Sequence, residues 1–242
     1  VQLAFDILSW GGWTPDFQDN ESWCHWQSAN QSSDLNSVSP SLVQVPAMQR
    51  RRFSRLTKMM LTVAFECQAT QLRSVFASRH GELNRTIGLL EDVISKTPLS
   101  PMAFSQSVHN TASGIYGIVN NNTACSTSIA AGAQSLPQAL IETFAQIKQY
   151  QQPILLVFGD DPVPPVYNEF INEVELPIAL GLVLDASATK SANAIAQLTI
   201  DSAKPNITDN KICLSELIHH IASGKNIQGE MCHWQWNLHH YA

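Results

Sequence analysis

The chain has 242 residues, a net charge of −6, 44% hydrophobic residues and only 14% charged ones, which allows one large domain with a full core and disfavours nucleic acid, whose backbone needs Lys and Arg gathered on one face. No apolar run approaches the ~20 residues of a membrane span, and residues 1–10 lack the basic region and small-residue cleavage site of a secretory leader. The five cysteines, Cys24, Cys67, Cys125, Cys213 and Cys232, are scattered without a CxxC pair, as expected of reduced thiols in a cytoplasmic protein.

Residues 3–8 alternate partly and read as a strand, which Gly11 and Gly12 are expected to break. The polar run 19–22 offers an N-cap to a short helix carrying Trp23 and Trp26 on one face, an aromatic pair expected in the core. Residues 28–46, rich in Ser, Asn and Gln and closed by Pro46, read as loop. A helix is predicted over 49–69, with Phe53, Leu56, Met60, Val63, Ala64 and Cys67 on one stripe. Its basic start, Arg50, Arg51, Arg52, Arg55 and Lys58, reads as a solvated helix end. A short strand over 72–77 and a helix over 82–95 follow, the latter with Ile87, Leu90 and Ile94 in phase.

Pro98 and Pro101 frame a turn; 105–119 reads as a helix of small residues suited to close packing, and 136–150 as another helix. The continuous apolar run 154–158 fits a strand buried on both faces and is ended by Pro162, Pro164 and Pro165. Strands over 178–184 and 194–200 are expected to form a hairpin about 185–191. A last helix over 213–222 and a tail over 231–241 with Trp234 and Trp236 complete the chain. Helices alternating with buried strands predict a three-layer α/β fold in one domain over 1–242. Because globular chains carry nearer ~25% charged residues, the low charge also predicts either a Ser-, Asn-, Gln- and Thr-rich surface or one covered by a partner.

Four strings carry a resemblance: RRRFSRLTKM over 50–59, SRHGE over 78–82, LSPMAFSQSVHN over 99–110 and TACSTSIAAG over 123–132. Together they resemble the small β-ketoacyl-synthase-like family found beside aryl polyene synthases, whose members are similar to the N-terminal half of a ketosynthase and are described as chain length factors. The resemblance spans roughly 5 to 185; the remainder matches loosely, through the terminal Trp-x-Trp. It implies a thiolase-like fold cut to about half, without the half that supplies the catalytic histidines. It also implies a heterodimer with a β-ketoacyl-ACP synthase subunit in a type II polyketide pathway, with acyl carrier protein engaged only indirectly. The smaller subunit would shape the tunnel and limit chain growth, with Met102 and Phe104 near the tunnel end. Ser107, His109, Asn110, Ser126 and Ser128 would lie at the interface. No cofactor and no metal are implied.

The string around Cys125 is similar to a ketosynthase nucleophile motif. Such a cysteine works at a strand-to-helix turn, where a helix N-terminus favours thiolate, with two histidines for decarboxylation and oxyanion stabilisation. Pro137 would fall inside a helix begun at Cys125, at a cost of about 3 kcal/mol. A start near Ser135 removes that cost and also removes the helix terminus from Cys125. A buried, non-reactive residue is therefore the expected role. Two alternatives remain: a minimal thiol-dependent acyltransferase or ketosynthase using Cys125, and a self-associating scaffold.

Other candidates have plainer readings. His109 and Asn110 are expected to satisfy buried backbone groups. His80 is expected to start a helix, with Glu82 in its first turn. Asp160 and Asp161 read as a surface turn. His219, His220, Cys232, His233, His239 and His240 lack zinc-site spacing. No GxGxxG, GxxxxGK[ST] or GxSxG string is present.

Overall fold

The computed structural model describes residues 1–27, 38–171, 177–186, 191–202 and 210–241. Its strands are β1 (Gln2–Trp13), β2 (Ser74–Ala77), β3 (Ser126–Ile129), β4 (Ile154–Asp160), β5 (Ile178–Asp185), β6 (Ala196–Asp201), β7 (Ile227–Met231) and β8 (Trp234–His240). They form one sheet in the order β3-β2-β4-β5-β1-β6-β8-β7. β2 runs parallel to β3 and β4, and the other neighbours are antiparallel.

The α-helices are α1 (Ala47–Arg50), α2 (Arg55–Glu66), α3 (Leu83–Ile94), α4 (Pro101–Ser105), α5 (Thr111–Val119), α6 (Ser135–Tyr150) and α7 (Leu214–Ser223). On one face α2 and α5 pack Met60, Val63 and Tyr116 over Phe76, Leu155 and Val157. On the other, α6 and α7 pack Leu140, Ile147 and Ile218 over Leu156, Leu182 and Trp236. β4 thus feeds both cores, which explains its uninterrupted apolar run. No helix among the described residues is long and apolar enough to cross a membrane.

The glycine pair does not end β1. Gly11 and Gly181 are register partners, and a Cβ on either would lie 2.7 Å from the Val63 carbonyl oxygen. The glycines therefore mark where the backbone of α2 rests on the sheet. What interrupts β1 is a register shift between Ile7 and Ser9. Its first half pairs with β6 and its second with β5. β1 consequently lies between β5 and β6, so these two do not form the expected hairpin; the centre of their connection, 187–190, lies outside the described residues.

Two predicted helices are each divided. Ser54, in extended conformation, caps α2 by accepting from the Thr57 amide at 3.0 Å, which separates α2 from α1. Between α4 and α5, Ser107 and Thr111 hydroxyls return to the carbonyls of Phe104 (2.8 Å) and Val108 (2.7 Å), local bonds that compete with a continuous helix. Trp23 is fully buried against Phe17 in a 3-10 turn, Ser22–His25, while Trp26 is only half-buried against His219. The expected loop is irregular from 38 to 46; residues 28–37 lie outside the described residues.

At the α2–sheet contact, Glu66 Oε2 is buried without a hydrogen-bond partner. Burial, with Asp19 nearby, pushes the carboxyl up from 4.5 to about 8. The folded state therefore holds this proton more tightly than the unfolded chain. Its stabilising contribution is complete below pH 4.5 and is lost as pH rises through about 8. Glu66→Gln should flatten that dependence, so that melting temperatures at pH 5 and pH 8.5 differ less than in the unsubstituted protein. An identical pH dependence in both proteins would refute the assignment.

Candidate functional site

The parallel strands end in a polar network. Asp160 Oδ1 accepts from the Ser78 hydroxyl at 3.0 Å and the Arg79 amide at 2.7 Å. Asp161 accepts from Arg55 Nε at 2.8 Å, with Nη2 at 2.6 Å. Burial raises the Asp161 carboxyl above its usual range, against the pull of Arg55. The two carboxylates are therefore not a free surface turn: they tie β4 to the end of β2 and to α2, because their partners converge there from 80 and more residues away.

Glu82, 5% exposed, makes no side-chain capping bond to the helix that it precedes, although its Oε2 lies 3.6 Å from Arg85 Nε in that helix. Its carboxylate accepts from Ser54 and Thr57 hydroxyls, each at 2.7 Å, in the first turn of α2. There it also complements the helix dipole. Glu82 thus stands at the start of α3 as expected, and its carboxylate also ties that helix to the start of α2.

The structure joins the SRHGE and SVHN strings. His109 Nε2 lies 3.0 Å from the Ser78 carbonyl oxygen. Its ring lies so close to Gly81 that a Cβ there would stand 2.8 Å from Cδ2; Gly81 has φ +56°. His109 thus meets a backbone carbonyl as expected, while exposed Asn110 offers only its own carbonyl, to Ser113 Oγ at 2.9 Å.

β3 passes into α6 through Ala130, Ala131 and a 3-10 turn, Gly132–Gln134. Cys125 lies at the other end of β3, exposed, its carbonyl accepting from the Ser74 amide at 3.1 Å. The four-residue strand β3 therefore separates it from the N-terminus of α6. The strand-to-helix turn itself carries Ala130, Ala131, Gly132, Ala133 and Gln134, with no thiol or hydroxyl. Pro137 occupies the first turn of α6, where its missing amide is not needed.

Beside this turn is a cavity of about 490 Å³ bordered by Gly132, Ser135, Arg79, Asp160, Cys213 and Cys232. In the same turn Gln134 donates to the Cys232 carbonyl at 2.7 Å and accepts from Trp234 Nε1 at 2.9 Å. This clamp and the two thiols were not legible in the sequence, since about 100 residues separate Gln134 from its partners and no spacing marks them.

The expected interface residues are on the surface. Phe104 is 64% and Met102 43% exposed on α4. Neither fills a core, so neither would leave an internal cavity in this chain when truncated. Ser126 is exposed, and Ser107 and Ser128 are half-buried. Ser126 and Ser128 are engaged by Ser74 Oγ (3.0 Å) and Ser113 Oγ (3.1 Å). The C-terminal histidines are dispersed on protein partners: His219 Nδ1 lies 2.8 Å from the Trp23 carbonyl and His240 Nε2 3.0 Å from that of His220. Among the described residues no three His, Cys, Asp or Glu gather as metal ligands.

The sequence matches the family model of the β-ketoacyl synthase N-terminal domain over residues 23–237. Among solved structures, the ketosynthase (ApeO) in complex with its chain length factor (ApeC) from Xenorhabdus doucetiae is similar at a TM-score of 0.79 and 25% identity, covering 98% of this chain and 99% of that one. The ishigamide ketosynthase/chain length factor gives 0.65 at 16% identity, covering 81% and 65%. A β-ketoacyl synthase from Burkholderia phymatum gives 0.58 at 13%, covering 92% and 71%. No curated protein matches the sequence. The fold is thiolase-like, of the ketosynthase kind.

Gly81→Ala should lower the urea midpoint by the equivalent of about 1–3 kcal/mol, since it combines a left-handed backbone with a clash. Adding His109→Ala should recover the clash but not the backbone part. A single variant as stable as the parent would show that the contact is not tight.

Proposed function

The chain belongs to the β-ketoacyl synthase N-terminal domain family, and from that premise we propose that it is a non-catalytic, chain-length-factor-like subunit that pairs with a β-ketoacyl-ACP synthase. The observation that carries this reading is the turn between β3 and α6. Condensation needs an activated thiol there, and the turn holds only Ala130, Ala131, Gly132, Ala133 and Gln134. The near-equal length of the matched chain in the Xenorhabdus complex of a ketosynthase with its chain length factor adds support. The aryl polyene setting is part of the same proposal.

The two sheet edges differ in a way that suits pairing. Along β7 the segment 210–212 covers the edge, with Ile212 N to Glu230 O at 2.9 Å and Glu230 N to Asn210 O at 2.8 Å. Among the described residues β3 has one neighbour, β2, and an open edge is a template for another strand. Close to it in the fold, Ile118 on α5 is 75% exposed, and Val108 and Phe104 precede the same helix unburied. Exposed apolar side chains suit an interface, and an obligate one buries about 2,000 Å² or more. In the pair, Phe104 and Met102 would stand at the tunnel end and stop chain growth by exclusion, because a chain meeting a packed aromatic overpacks it.

Co-expression with the cognate ketosynthase should yield a stable heterodimer that Ile118→Arg disrupts without lowering the melting temperature of the isolated chain. A monodisperse monomer that ignores the ketosynthase would sink the reading; assembly of this chain only with itself would favour a scaffold. In the reconstituted pair, Cys125→Ala should leave yield unchanged, whereas Phe104→Ala should shift polyene absorption to longer wavelength with the complex intact. A hundredfold loss on Cys125→Ala would instead mark a thiol enzyme.

A further inference from the structure

The two cysteines that border the cavity have a use that the pairing does not absorb. Cys213 is exposed and Cys232 half-buried, and both are thiols in this structure. Their nearness is set by the backbone. The segment 210–212 runs parallel to β7, with Lys211 bridged to Glu230: Ile212 N donates to Glu230 O at 2.9 Å, and Glu230 N to Asn210 O at 2.8 Å. Gly229 permits this seating, since a Cβ there would stand 2.5 Å from Ile212 Cγ2 and 2.8 Å from the Asn210 carbonyl oxygen.

From the bridge both chains run on in the same direction for two residues, one to Cys213 and the other to Cys232. Paired strands lie about 4.8 Å apart, and alternate side chains share a face. Ile212 and Met231 pack into the core, so alternation gives Cys213 and Cys232 the opposite face. A disulfide spans Cα atoms about 4.4–6.8 Å apart, a range that this register offers. Both ends are held by hydrogen bonds. The Cys213 carbonyl accepts the first-turn bond of α7 from the Leu217 amide at 3.1 Å. Cys232, with φ +54° in the β7–β8 turn, has its carbonyl on Gln134 Nε2 at 2.7 Å.

We propose that Cys213 and Cys232 are a paired thiol-modification site, which reacts with a low-molecular-weight disulfide such as oxidised glutathione and closes to an internal disulfide. The more exposed Cys213 attacks, as thiolate, one sulfur of the reagent; the S–S bond of the reagent breaks and one glutathione thiolate leaves. Cys232, as thiolate, then attacks the Cys213 sulfur and expels the second glutathione thiolate. Two protein thiols are thereby oxidised and one small disulfide is reduced, and the two protein protons end on the two released thiolates. The link ties the start of α7 to the β7–β8 turn at the rim of the cavity, and a dithiol reductant reverses it. This chemistry stands whether or not the chain pairs with a ketosynthase.

The purified full chain, kept native, is incubated with oxidised glutathione; remaining thiols are alkylated and the peptides mapped by mass spectrometry. A Cys213–Cys232 linked peptide should dominate, while Cys24 and Cys125, also exposed, should carry glutathione at most. Closing the loop between Cys213 and Cys232 should raise the melting temperature by about 5–10 °C, and dithiothreitol should restore the starting value. Cys232→Ser should stop at glutathione held on Cys213. Cys213→Ser, which places a good N-cap residue before α7, should abolish the internal link and leave the less exposed Cys232 to react more slowly. Glutathione retained on Cys213 of the unsubstituted chain without an internal link would overturn the proposal. So would links that join Cys213 or Cys232 equally to other cysteines, or a Cys213–Cys232 link that forms only in urea.

Discussion

The contact between the backbone of α2 and the glycine track of the sheet is the constraint on which the rest depends. Without side chains at Gly11 and Gly181, the Val63 carbonyl reaches the sheet at a distance that any Cβ would forbid. This close seating sets the depth of one layer and points the start of α2 to the end of β4. From there Arg55 reaches Asp161, and Ser54 and Thr57 reach Glu82. The buried, partnerless oxygen of Glu66 at the other end of α2 is a cost of that seating.

The consequence is an end of the sheet where strand termini meet a helix start across a turn that carries no thiol. Strand termini, the start of α6 and a cavity of about 490 Å³ converge as catalysis would require. Yet the turn that should present a thiol presents alanine and glycine, and Gln134 uses both ends of its amide to hold the β7–β8 hairpin. Polar groups nearby serve to join elements: Asp160 joins β4 to β2, and His109 joins the loop before α5 to the same strand end.

Local sequence carried many of the elements. Apolar period and proline punctuation marked α6 and β4, and a late start for α6 followed from Pro137 alone. The three-layer class followed from strands without alternation, because only a strand covered on both faces reads that way. Ser54, Ser107 and Thr111 were the signals missed within the predicted helices: each hydroxyl bonds the local backbone, and periodicity is blind to it. The SRHGE and SVHN strings were visible as strings. Their union was not, since it depends on a glycine with positive φ meeting a histidine from another segment.

What the sequence determined by itself was the class of fold, its family likeness and the late start of α6, because these rest on patterns within a few turns of chain. Tertiary structure decided where β1 runs, which edge is open and which end of β3 holds Cys125. It also decided that Glu82 ties α3 to α2 and that Gln134 belongs to the hairpin. Each of these is a pairing between segments far apart in the chain, fixed by packing against a shared sheet, and no local propensity encodes the partner.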